Sequence, residues 1–105
     1  MSILENKVAV VSGAGSGIGR AIAITYAKEG AKVAVADING AHAEETVKMI
    51  KDAGGDAFAI IADSSKAADN KTIVEKVVAQ YGRLDIACNN AGMGGPAKPT
   101  GKYEP

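Results

Sequence analysis

The sequence predicts an α/β fold, a doubly wound parallel sheet with strand order 3-2-1-4. Three observations carry that reading. Four short apolar, β-branched runs begin about 25 residues apart, amphipathic or alanine-rich segments separate them, and a glycine closes each of those segments. Strands that read as continuous apolar runs are covered on both faces, as in parallel sheets with helical crossovers. Right-handed crossovers then place strands 2 and 3 on one side of strand 1 and strand 4 on the other. That reversal opens a crevice beside the carboxyl end of strand 1.

The elements follow in order. "KVAVVS" (7–12) is the first strand, and "IGRAIAITYAKEG" is a helix closing at Gly30. "KVAVAD" (32–37) is the second strand. Asn39 then serves as N-cap of "AHAEETVKMIKDAG", which carries Ala43, Val47 and Ile50 on one face and closes at Gly54. "DAFAIIAD" (56–63) is the third strand. Ser65 is the expected N-cap of the third helix, whose Ile73, Val74, Val77, Val78 and Tyr81 share a face before Gly82. A glycine after a helix supplies the left-handed residue that satisfies its last carbonyls. "LDIAC" (84–88) is the fourth strand. Residues 1–92 read as one set of βα repeats and 93–105 as a glycine- and proline-rich tail.

Bulk properties exclude several classes. At 105 residues the chain is one domain, and 47% hydrophobic content supports a buried core. Formal net charge is zero and no basic run exists, which argues against nucleic acid and against an anionic membrane surface. Cys88 stands alone, so no intramolecular disulfide forms and a reducing compartment fits. No apolar run approaches the roughly 20 residues of a membrane span. The start "MSILENKVAVV" has no basic stretch before a long apolar one, so no signal peptide is expected and the location is read as cytoplasmic. No metal-ligand pattern stands out.

The stretch "VVSGAGSGIGRA" sets Gly13, Gly15, Gly17 and Gly19 between the first strand and first helix. A helix N-terminus has unpaired N–H groups and partial positive charge, so it attracts phosphate. Glycine removes the side chains that would keep a pyrophosphate from that backbone. The pattern GxGxxG fails in every frame, with Ile18, Arg20 and Ile22 at its sixth positions, and no GK[ST] follows for a P-loop. GxxxGxG fits at Gly13, Gly17 and Gly19. A merely flexible strand-to-helix loop is the bland alternative, and the placement speaks against it.

Asp37 ends the second strand, 18 residues beyond Gly19. There a carboxylate can accept from adenosine ribose hydroxyls, and a 2′-phosphate would meet like charge. At about 4 Å and an effective dielectric near 20 that repulsion is roughly 4 kcal/mol. Neither Ile38 nor Ala14 supplies a cation, so NAD is favoured over NADP. The competing reading makes Asp37 only a turn opener and helix cap.

With "SGAGSGIG" in the first turn and "NNAG" at 89–92, the chain resembles the short-chain dehydrogenase/reductase family along its whole length. Ser12 stands where that family usually has threonine. The resemblance implies a Rossmann-type fold and an NAD cofactor. It places Ser12, Gly13, Ser16, Gly17, Ile18 and Gly19 around the pyrophosphate, with Asp37 and Ile38 at the adenosine ribose. Asp63 with Ser64 would meet the adenine edge, and Asn89, Ala91 and Gly92 would lie along the cofactor, while Asn90 ties strand 4 to its neighbours. Without the resemblance, Asp63 reads equally as a helix cap and Asn89 as loop structure.

The same resemblance implies hydride transfer between the nicotinamide cofactor and a small alcohol or ketone. The family's serine, tyrosine and lysine lie beyond the "NNAG" turn, the lysine four residues after the tyrosine. Tyr26 is followed at that spacing by Gly30, Tyr81 by Asp85, and Tyr103 by nothing, so no catalytic residue is assigned. His42 is read as solvated and Cys88 as a buried small residue. The chain is expected to be the cofactor-binding half of a homo-oligomeric oxidoreductase, truncated before its catalytic half. The alternative is a stand-alone dinucleotide-binding module.

Overall fold

The strands are β1 (Val8–Ser12), β2 (Lys32–Asp37), β3 (Asp56–Ile61) and β4 (Ile86–Asn89). The helices are α1 (Gly17–Lys28), α2 (Gly40–Asp52) and α3 (Ala67–Tyr81). This structure is a computed structural model, and it describes residues 4–15, 17–63 and 66–89. The strands form one parallel sheet in the order β3-β2-β1-β4, as the sequence predicts. One row across it runs Phe58, Ala34, Val10, Ala87.

The pleat sends alternate residues to two cores. Val11, Val33, Val35 and Ala57 pack against Ala23 of α1 and against Ala43, Val47 and Ile50 of α2. Val8, Val10, Ala34, Ala36 and Ile60 pack against Ile73 and Val77 of α3. So α1 and α2 cover one face and α3 the other. The reversal falls at β1, and its carboxyl end is where the glycines begin.

Several boundaries differ from the sequence expectation. The third strand stops at Ile61 because Asp63 N–H turns away to donate to Asp69 Oδ2, 2.8 Å. The fourth begins at Ile86. Ahead of it the Asp85 carboxylate takes the Val8 amide at 2.8 Å, where a strand carbonyl would otherwise serve. Asn39 caps α2 as expected, accepting from His42 N at 3.0 Å. The expected cap of α3, Ser65, lies outside the described residues; Lys66 stands at the N-cap position, without a side-chain hydrogen bond. Ile73 and Val77 are buried, but Val74 and Val78 are 44% exposed, because α3 meets the sheet on a narrower stripe than five residues imply. Gly30, Gly54 and Gly82 have positive φ after their helices. The boundary expected at residue 92 lies outside the described residues.

Candidate functional site

β1, α1, β2 and β3 bring their candidate residues to the carboxyl edge of the sheet. The turn from Gly13 leads into α1 at Gly17, whose φ of 60° suits glycine and where an added Cβ would meet nothing. Gly19 has the opposite need: a Cβ there would overlap the Gly13 carbonyl, so its absence lets α1 settle onto the turn. α1 carries no acidic residue in its first turn, whereas α3 has Asp69 in that position. The helix end beside the glycines therefore keeps its positive character.

Asp37 sits against this turn. Its Oδ2 accepts Gly15 N–H at 2.7 Å and its Oδ1 accepts Asn39 N–H at 2.8 Å. A carboxylate offers about four lone-pair positions, so each oxygen retains one for a further donor. Asp37 is thus a turn opener that still has acceptor positions free, so the turn reading of its sequence position does not exclude the other. A Cβ on Gly15 would lie 2.7 Å from Asp37 Oδ2 and 2.7 Å from His42 Cβ. His42 is exposed, as expected, yet it borders the site.

The other predicted residues divide. Ile18 and Ile38 are 72% and 68% exposed, one at the start of α1 and one just past β2. Ala62 N–H donates to Asp37 O at 3.1 Å, which draws Asp63 beside the end of β2. The Asp63 carbonyl accepts Lys66 N–H, 3.0 Å, so its backbone also opens α3. Asn89 ends β4 opposite Ser12. Ser12 is buried, and its hydroxyl reaches toward the Cys88 carbonyl at 3.4 Å, on the α3 face and away from the turn. Ser16, Ser64, Asn90, Ala91 and Gly92 lie outside the described residues.

A groove of about 250 Å³ runs between β1, β4 and α3, lined by Val10, Ser12, Asn70, Ile73, Val74, Ala87 and Cys88. It opens on the face opposite α1, so it is separate from the glycine turn. Tyr81 lies at the amino edge, where its hydroxyl donates to Asp56 Oδ1 at 3.0 Å. Burial, with that hydrogen bond, pushes its pKa well up. Burial also raises Tyr26, near the far end of α1. Both tyrosines are remote from the glycines.

Sequence reasoning missed two residues that the structure puts behind the turn. Arg20 Nε–H donates to Thr46 Oγ1 at 2.9 Å, and the Thr46 hydroxyl donates to Ala14 O at 2.9 Å. The sequence did hold a signal. Thr46 is a polar residue on the apolar face defined by Ala43, Val47 and Ile50, and it is fully buried.

The chain matches the family model described as short chain dehydrogenase over residues 7–104. It belongs to the short-chain dehydrogenase family. Among curated family members it is 43% identical to 7alpha-hydroxysteroid dehydrogenase of Escherichia coli (strain K12) over 93 residues, 89% of this chain and 36% of that protein. It is 48% identical to the short-chain dehydrogenase/reductase homolog YusS of Bacillus subtilis (strain 168) over 94 residues, 89% of this chain and 85% of that protein. A solved 7 alpha-hydroxysteroid dehydrogenase complexed with NADH and 7-oxo glycochenodeoxycholic acid superposes with TM-score 0.85 at 43% identity. That likeness covers 89% of this chain and 36% of the other. The chain therefore spans about a third of the length of the hydroxysteroid dehydrogenases, and matches their Rossmann-fold, dinucleotide-binding portion.

Proposed function

We propose that this chain binds NAD, with the pyrophosphate on the α1 N-terminus and the adenosine ribose at Asp37. Family membership and the NADH-complexed relative support a nicotinamide cofactor. The observation that carries NAD over NADP is the Asp37 carboxylate, fixed by two backbone amides beside the glycine turn with lone pairs to spare. Those lone pairs suit a ribose diol, and the same charge opposes a 2′-phosphate. Gly13, Gly17, Gly19 and Ile18 line the pyrophosphate side with Ser16, while Ser12, whose hydroxyl faces α3, contributes there only through the backbone that leads into the turn. Ile38 flanks the ribose, Asp63 and Ser64 take the adenine edge, and Asn89, Ala91 and Gly92 border the rest of the cofactor.

In this reading the chain is the cofactor-binding portion of a cytoplasmic oxidoreductase that moves hydride between NAD and a small alcohol or carbonyl compound. The bound cofactor supplies the hydride chemistry; these residues bind and orient it. A stand-alone module is the second reading, favoured by the match to 85% of the Bacillus subtilis relative. Self-association through the β4 side belongs to the proposal as well. Among the described strands β4 pairs only with β1, and the partly exposed Val74 flanks it across the groove. Light scattering at high micromolar concentration should show an oligomer, and a monodisperse monomer contradicts it.

Calorimetric titration of the chain with NADH and NADPH tests the cofactor assignment. NADH should bind more tightly, and Asp37→Ala should narrow the gap. Tighter binding of NADPH by the unaltered chain would overturn it.

A further inference from the structure

The glycine turn poses a problem that its own residues leave unsolved. An anion is held by N–H groups and repelled by carbonyl oxygens, yet glycine lets peptide planes rotate with little resistance. Something must keep the carbonyls of the turn out of the anion site. Thr46 of α2 and Arg20 of α1 do so. The buried Thr46 hydroxyl donates to Ala14 O, and the Arg20 guanidinium donates to Gly15 O. Thr46 Oγ1 also accepts Arg20 Nε–H, so one side chain orients the other. Glu45 Oε1 takes a further Arg20 N–H at 3.0 Å from a half-exposed position. Two successive carbonyls are thereby held, one by Thr46 of α2 and one by Arg20 of α1, while the Gly15 N–H is aimed at Asp37 Oδ2.

We propose that Thr46 and Arg20 are positioning residues for the nucleotide: by tying back the Ala14 and Gly15 carbonyls they keep these acceptors away from pyrophosphate, and by orienting the Ala14–Gly15 peptide they fix the Gly15 N–H that holds Asp37 toward the ribose. The inference rests on the nucleotide-binding reading above. Neither side chain touches the ligand in this account. Part of the preference for a 2′-hydroxyl over a 2′-phosphate then resides in α2, one residue removed from the carboxylate that expresses it. Glu45 is an accessory, since an exposed ion pair contributes little and Thr46 and Gly15 hold the guanidinium without it.

Thr46→Val gives the cleanest test, because it removes the hydroxyl while changing neither charge nor much volume. The full chain is titrated calorimetrically with ADP-ribose and with its 2′-phosphate, and thermal unfolding is followed in parallel. Thr46→Val should weaken ADP-ribose about tenfold, the loss expected for a hydrogen-bond relay ending on a charged group. It should also narrow the preference over the 2′-phosphate about threefold or more, since Asp37 is no longer held. Thr46→Ser, which keeps the hydroxyl, should restore both values. Arg20→Lys keeps the charge without the planar fork and should weaken ADP-ribose as well, whereas Glu45→Gln should stay within about twofold of the parent. A purely structural role lowers both affinities equally, so an unchanged preference in Thr46→Val overturns the inference alone. Failure of the unaltered chain to bind ADP-ribose overturns it together with the reading on which it rests.

Discussion

Asp85 shows how one carboxylate can join two ends of a chain. It accepts the Val8 amide and pairs with Arg83 at 2.7 Å. The Arg83 hydrogen bond, followed by that of Val8, holds its pKa below the usual aspartate value. A carboxyl group with a depressed folded pKa stabilises fully above its unfolded pKa, and the contribution is lost as pH falls through the lower folded value. The chain should therefore lose stability on acidification below about pH 4. Asp85→Ala should lower Tm near neutrality and flatten the profile in that acid window, as read by thermal melts against pH. At this scale the sequence was readable where chemistry coincides with a strand end, as at Asp37. It was silent on the Asp37 pairing with Gly15, because separation along the chain hides which backbone amide a side chain meets. Thr46 was legible only as an anomaly in an apolar stripe, since its partners Ala14 and Arg20 come from other elements.

Element types came through from periodicity and glycine placement, and element ends did not. β4 starts late because a side chain, Asp85, substitutes for a ladder acceptor, a substitution invisible in "LDIAC". At the start of α3, Asp69 inside the first turn takes the Asp63 amide, a contact invisible in the sequence. The caps give measurable stakes. Asn39→Ala should cost about 1 kcal/mol by removing the acceptor for the His42 amide. Gly82 has φ 84°, and an added Cβ would meet nothing, so Gly82→Ala isolates backbone strain. It should cost about 1 kcal/mol. Urea unfolding curves measure both, and a neutral Gly82→Ala would contradict the left-handed cap.

The whole molecule depends on two cores that share one sheet. Ile50 is 1% exposed beneath α2 and Ile60 is 2% exposed beneath α3, on opposite faces. Each truncation to alanine should cost about 2–5 kcal/mol. Both variants should still unfold in one transition, because β1 and β2 contribute alternate residues to both cores. Separate transitions for the two faces would contradict that coupling. The same sheet gathers the glycine turn, Asp37 and Asp63 at one edge, which the predicted order 3-2-1-4 anticipated. The most direct measurement is a titration of the isotopically labelled chain with NADH, followed by amide resonances. The account predicts the largest shifts at Gly13, Gly15, Gly17 and Gly19 and at Asp37 and Ile38, with little change along Ile73 to Val78. Shifts confined to the groove between α3 and β4, or no shifts at all, would contradict it.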